Sequence, residues 1–231
     1  TENAEERILL GKDSLMRVSS ICFLLSVLCL GCNRAEEFRQ KAAKNNLKQI
    51  DEALKAVKAL LCAHATRIDG IKISLLDKTK EIALRRELPA SVRMYTGDDF
   101  DFAELIGGDA LGHSDALLGI FDAIAPAASA ALSELASGRR DRFDEILAPC
   151  VPLSRHIFSA PTQFYKTGIV FMAWLNGYQK EFVMLGGQET KRSLPHLAEI
   201  FRLAVRAQLL QDPELAVTRM DTLCRAEGIT V

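Results

Sequence analysis

The chain has 231 residues, 48% hydrophobic and 26% charged, the balance of a globular protein of one domain with room for an appendage. This excludes a wholly disordered chain, since enough apolar surface is present to offset the entropy of ordering. A formal net charge of -1 and an aromatic content of 6% exclude the basic field and stacking platforms of a nucleic-acid binder, so no nucleic-acid partner is expected.

In chain order, residues 1–15 are polar and carry no strong signal. Met16 and Arg17 precede an apolar run of 13 residues, Val18 to Leu30, closed by Gly31-Cys32. A short basic start, an apolar stretch and a small residue before a cut site describe a secretory signal. Gly-Cys at its end resembles a bacterial lipoprotein signal, with Cys32 the lipidated residue. Cys29 stands where that signal carries an aliphatic residue, and 15 residues precede the run, so a buried core helix stays open as the alternative. The run is too short to cross a membrane, which takes roughly 20 residues. A membrane is therefore a partner only if residues 16–32 act as a signal.

Residues 33–63 read as an amphipathic helix. Asn33 can cap it, Glu36 and Glu37 suit its first turn, and Leu47, Ile50, Leu54, Val57 and Leu61 repeat at three- and four-residue steps. From Arg67 the texture changes. RIDGIKISLL predicts a short strand, LDKTKEIALRREL a helix stopped before Pro89, and SVRMYTGDD a second strand. FDFAELIGGDALG predicts a short helix and a glycine-rich loop, and DALLGIFDAI a third strand buried on both faces. Strand, helix, strand, helix, strand at this spacing predicts a parallel sheet of βαβ units. Helices follow from Pro126 to Gly138, around 140–158, over 161–176, over about 190–210, and from Asp212-Pro213 to near Gly228. The chain divides in this reading into a helical segment, 1–66, and an α/β domain with C-terminal helices, 67–231.

Several of these residues resemble the C-terminal half of the dihydrodipicolinate synthase/N-acetylneuraminate lyase family. Gly70-Ile71-Lys72 on a strand resembles the family's sixth barrel strand, which carries a Schiff-base lysine. Tyr95 to Asp99 resembles the seventh strand and its loop, and Leu118-Gly119-Ile120 through Ala125-Pro126 the eighth strand and next helix. Pro161 to Lys166, running into an apolar helix, resembles the C-terminal helical appendage. The resemblance implies part of a (β/α)8 barrel, with about three parallel strands, its strands six to eight. It also implies lyase or aldolase chemistry on a 2-keto acid such as pyruvate, without a cofactor.

The family's first five strands have no counterpart in this sequence. The Gly-Thr-Thr or Gly-Ser-Thr carboxylate loop and the Tyr-Asn-x-Pro tyrosine do not occur, and Lys72 is followed by Ile-Ser where many members have Asp-Ser.

Lys72 is the expected nucleophile: desolvation in a strand-lined pocket would activate its amine for imine formation. Gly97, Asp98 and Asp99 are the expected substrate-binding residues, with helix N-capping the competing role of the aspartates. His113 and Ser114 fall in a polar loop. Cys29-x-x-Cys32 lies inside an apolar run, and His64, His156 and His196 lie on three segments without ligand spacing, so no metal site is expected. Exposed strand edges predict a homo-oligomer. The barrel-like part is expected in the cytoplasm, or membrane-anchored through Cys32 in the alternative reading. The competing function is a non-catalytic fusion or truncated product, a membrane-tethered structural protein.

Overall fold

A computed structural model describes residues 46 and 48–229 of the chain. The apolar run 18–31, the Cys29/Cys32 pair, the candidate lipidation site Cys32 and the Asn33 cap lie outside the described residues. Two units are distinguished, one ending at Ala59 and one spanning Leu60–Val231. The amphipathic helix (α1) is described over 48–63. Its predicted face is the better covered one, with Ile50, Leu54 and Val57 half-buried and Leu61 buried.

The second unit begins with the alternation read from the sequence. β1 (Gly70–Ile73), α2 (Lys78–Glu87), β2 (Arg93–Thr96), α3 (Phe102–Gly107) and β3 (Asp115–Ala116) follow one another. The strands form one open, wholly parallel sheet in the order β1-β2-β3. Local chemistry sets the helix between the first two strands. The Asp77 carboxylate accepts the Thr79 and Lys80 amides at 3.1 and 3.4 Å, and Arg85 and Arg86 stand in the last turn against the helix dipole. Leu88 is extended, as a residue before proline must be, and the helix stops.

The register divides the sheet into two unlike faces. Lys72, Tyr95 and Asp115 form one row across it, and Ile73, Thr96 and Ala116 the next. Side chains alternate along a strand, so the rows point to opposite sides. Ile73, Met94 and Thr96 are buried, whereas Lys72 and Arg93 are exposed and Tyr95 is half-buried. On the polar face the Asp69 carboxylate takes hydrogen bonds from Arg93 and Tyr95, both at 2.6 Å.

The third strand departs from expectation. Only Asp115 and Ala116 pair as a strand; Gly119–Asp122 turns instead as a 3-10 helix, and α4 (Ala125–Ala136) follows. The run DALLGIFDAI is apolar because Ile120 and Ile124 are fully buried against helices. A short apolar run reads alike whichever way it is buried.

The rest is helical: α5 (Arg140–Leu147), α6 (Cys150–Ile157), α7 (Tyr165–Leu175), α8 (Leu194–Arg206) and α9 (Pro213–Ala226). The stretch around 140–158 is two helices, broken at Ala148-Pro149, where the proline lacks the donor needed to continue the ladder. The core sits here: Phe143, Leu147, Leu153, Ile157, Phe171, Leu175 and Ile200 are all fully buried. No helix among the described residues is long and apolar enough to cross a membrane.

Candidate functional site

A cleft of about 440 Å³ opens at the carboxyl ends of all three strands, a volume in the range of small-molecule sites. Parallel sheets bind ligands at this end, because the loops that leave the strands converge there. Lys72, Ser74 and Leu76 come from β1 and its continuation, Gly97 and Asp99 from the end of β2, and Leu117, Leu118 and Gly119 from the end of β3. Only Lys72 lies within a strand; the other lining residues of these segments come from the turns and loops that leave the three strand ends.

Gly97 is required where it stands. Its N–H donates to the Ile73 carbonyl at 2.6 Å, and a Cβ there would lie 2.1 Å from Ser74 Oγ, 2.6 Å from Lys72 Cε and 2.9 Å from Ile73 O. The Lys72 stem crosses the space that any side chain at 97 would fill. Lys72 itself is exposed, not desolvated as the sequence reading expected.

The two aspartates separate into different roles. Asp98 Oδ1 accepts the amides of Phe100 and Asp101, both at 2.8 Å, and so holds the turn ahead of α3, whose N-cap is Asp101; it does not line the cleft. Asp99 does line it. Its Oδ1 accepts the Ile120 amide at 2.8 Å, and its carbonyl accepts the Ser154 hydroxyl at 2.5 Å. Burial pushes the Asp99 carboxyl up to about 6, while the Ile120 and Gly119 amides and the Lys72 charge pull the other way.

Beneath this loop Glu81 is buried and its carboxyl is raised by burial; Thr96 donates to it at 3.0 Å and in turn accepts the Asp98 amide at 3.1 Å. Ser114 is buried too and accepts from Arg85 at 3.3 Å, whereas His113 is exposed, 3.7 Å from Asp115. Neither reaches the cleft.

The far wall comes from residues that sequence reasoning did not single out: Phe158, Thr162, Gln163 and Tyr165. Phe158 and Tyr165 stack with ring centroids 4.5 Å apart, and a Cβ on Gly119 would meet them at 3.0 and 3.3 Å. Arg192 fixes this loop. Its guanidinium donates to the carbonyls of Ile157, Ser159, Ala160 and Pro161 at 2.7–3.4 Å. In the sequence this segment was marked only by the resemblance of Pro161 to Lys166 to a C-terminal helical appendage, not as part of a site; nothing local to Arg192 pointed to it.

His156 and His196, expected apart, are brought together by the packing of α6 on α8 and stack at 4.1 Å. They stand outside the cleft. His64 is exposed at the end of α1. Among the described residues no three His, Cys, Asp or Glu side chains gather as metal ligands would. Cys62, Cys150 and Cys224 are free thiols, and burial raises Cys150 to about 11, which keeps it inert as a nucleophile.

Fold and cleft define an α/β protein with a parallel three-stranded sheet, a small-molecule-sized site at its carboxyl edge, and a helical layer closing one side. The chain belongs to the family described as "Protein of unknown function (DUF993)", whose model matches residues 42–229. That span takes in residues 42–66, which the sequence reading set apart from the domain. No curated protein matches the chain.

Proposed function

We propose that this chain carries a Schiff-base aldolase or lyase-type site acting on a 2-keto acid such as pyruvate, with Lys72 as the nucleophile. The observation that supports this most is a convergence. Lys72, Gly97, Asp99 and Gly119 are drawn from the three segments that resemble strands six to eight of the dihydrodipicolinate synthase/N-acetylneuraminate lyase family, and they line one cleft. In this reading β1–β3 are those strands and the polar sheet face is the barrel's inner surface. The Lys72 amine adds to the keto carbon, water leaves, and the resulting iminium draws electrons from the neighbouring carbon, where a carbon–carbon or carbon–oxygen bond is made or broken.

Borohydride reduction in the presence of pyruvate tests it. A stable mass adduct mapped to Lys72 is expected in the folded protein and absent from Lys72→Met; a folded protein that gives no adduct rejects the reading. The same reading leaves the outer edges of β1 and β3 unpaired among the described residues, so self-association is expected, and light scattering that finds only monomer counts against that part.

A further inference from the structure

The proposed reaction moves protons at three points, and the tyrosine motif that would relay them in the resembled family is not in this sequence. Of the described side chains lining the cleft, only Lys72, Asp99 and Tyr165 can titrate. Lys72 is occupied as the nucleophile, and the Tyr165 ring is stacked on Phe158 in the far wall. Asp99 stands between the ends of β2 and β3, held by the Ile120 amide and within reach of the Lys72 charge. A carboxylate has about four lone-pair sites, so the amides of Ile120 and Gly119 leave acceptor capacity facing the cleft.

We propose that Asp99 is the proton donor and acceptor for imine formation at Lys72, a role beyond the substrate contact expected for it. The inference rests on the Schiff-base reading of the cleft. Lys72 attacks as the free amine, its nitrogen bonding to the keto carbon while the carbonyl oxygen takes the Asp99 proton. The nitrogen then returns one proton to Asp99. Its lone pair forms C=N as the C–O bond breaks, and the hydroxyl leaves as water with that same proton. One amine, one ketone and one carboxylic acid thus become an iminium, a water and a carboxylate, and the carboxylate is left beside the cation it helped to form.

A carboxyl poised near 6 can exchange protons in both directions at neutral pH, as a relay must. Of the ionisable groups around its loop, Asp98 adds to the rise of Asp99 by its charge, and the rest are paired elsewhere. Asp98 takes the Phe100 and Asp101 amides, Glu81 takes Thr96, and Arg155 on α6 pairs with Asp101 at 2.6 Å.

The test is the rate of cyanoborohydride trapping of pyruvate on Lys72, by mass spectrometry, from pH 4.5 to 8.5. Wild type is expected to show a break near pH 6. Asp99→Asn, which keeps an oxygen for the Ile120 amide, should be slower by about 10²-fold or more, without the break, while acetate or formate should restore rate to Asp99→Ala. Trapping in Asp99→Asn at the wild-type rate and profile overturns the inference and leaves the Schiff-base reading standing, as does loss of the break in Tyr165→Phe alone. No adduct in folded wild type overturns both. Should the Asp99 variants fail to fold, a ¹³C titration of Asp99 in wild type decides: coincidence with the kinetic break supports the relay, and a profile with no break rejects it.

Discussion

The strand-bearing stretch and the helical layer are buried in opposite ways. Of the buried polar residues, Glu81, Thr96, Asp98, Asp99 and Ser114 all fall between positions 81 and 114, and only Ser154 and Thr167 lie among the later helices. The largest fully buried apolar side chains show the reverse, since no strand contributes one and α5 to α8 contribute most. Buried polar groups need partners, and the Glu81–Thr96–Asp98 chain supplies some of them, through Thr96, while Glu81 Oε1 and Asp98 Oδ2 are buried without one. Such a network fixes geometry at a cost in desolvation, whereas the helical layer gains directly from apolar burial. The helical layer supplies most of the apolar core and the far wall of the cleft, while the polar network shapes the strand-end side of the cleft.

Truncation separates the two regions most sharply. Phe171 is fully buried, with ring centroids 5.3 Å from Phe182 and 5.8 Å from Trp174. Phe171→Ala should lower stability by about 3–5 kcal/mol in a denaturant titration. A loss under about 1 kcal/mol would mean the helical core is not the stabilising unit. Gly97→Ala comes next. Its new Cβ meets Ser74, which can turn away, but also the Ile73 carbonyl oxygen, which cannot. A cost of about 1–3 kcal/mol is expected, with trapping on Lys72 lost because the lysine stem is displaced. Near-wild-type trapping would show that the cleft tolerates what its geometry forbids.

How much of this was legible depended on how local the cause was. The Pro126 start, the Gly138 stop and the Asp212-Pro213 start act within one turn, and the helices at those points match the reading. The parallel sheet was legible because alternating strands and helices leave few other arrangements. The third strand was not, because its apolarity comes from helices far along the chain. In the cleft, Lys72, Gly97 and Asp99 carried motif signals on short segments. Asp98 carried the same signal but bonds the amides of the turn before α3, since one residue's difference in register decides which carboxylate faces the cleft. Phe158, Gln163 and Arg192 act only through long-range packing, and periodicity does not report that.

The pH dependence of stability offers a finer comparison, because the two regions should respond with opposite sign in overlapping windows. Burial and the charges of His156 and Arg192 lower His196 from 6.5 to about 4. The unfolded chain then binds more protons there, so this contribution to stability is lost as pH falls from about 6.5 to about 4. Asp99 is raised from 3.8 to about 6, so the native state binds more protons, and its contribution is lost as pH rises through that span. Thermal melts from pH 4 to 7 should show His196→Asn flattening the acid side and Asp99→Asn flattening the neutral side. Parallel profiles for wild type and both variants would remove the contrast.

The smallest structural effect is expected where the chemistry is proposed to be greatest. Lys72 is exposed at the end of β1, and its neighbour in sequence, Ile73, supplies the buried contact on the other face. Lys72→Met keeps an unbranched stem over Gly97 and removes only the amine. Exposed substitutions of this kind shift stability by no more than about 0.5 kcal/mol, so the melting curve should overlay wild type while keto-acid trapping disappears. Stability that falls well beyond that margin would make Lys72 a structural residue, tied to the sheet by contacts its exposure does not suggest. An unchanged melt with trapping retained would move the nucleophile elsewhere in the cleft. Only the combination of an intact fold and an absent adduct assigns the amine to chemistry, and it separates the region that stabilises the molecule from the region proposed to react.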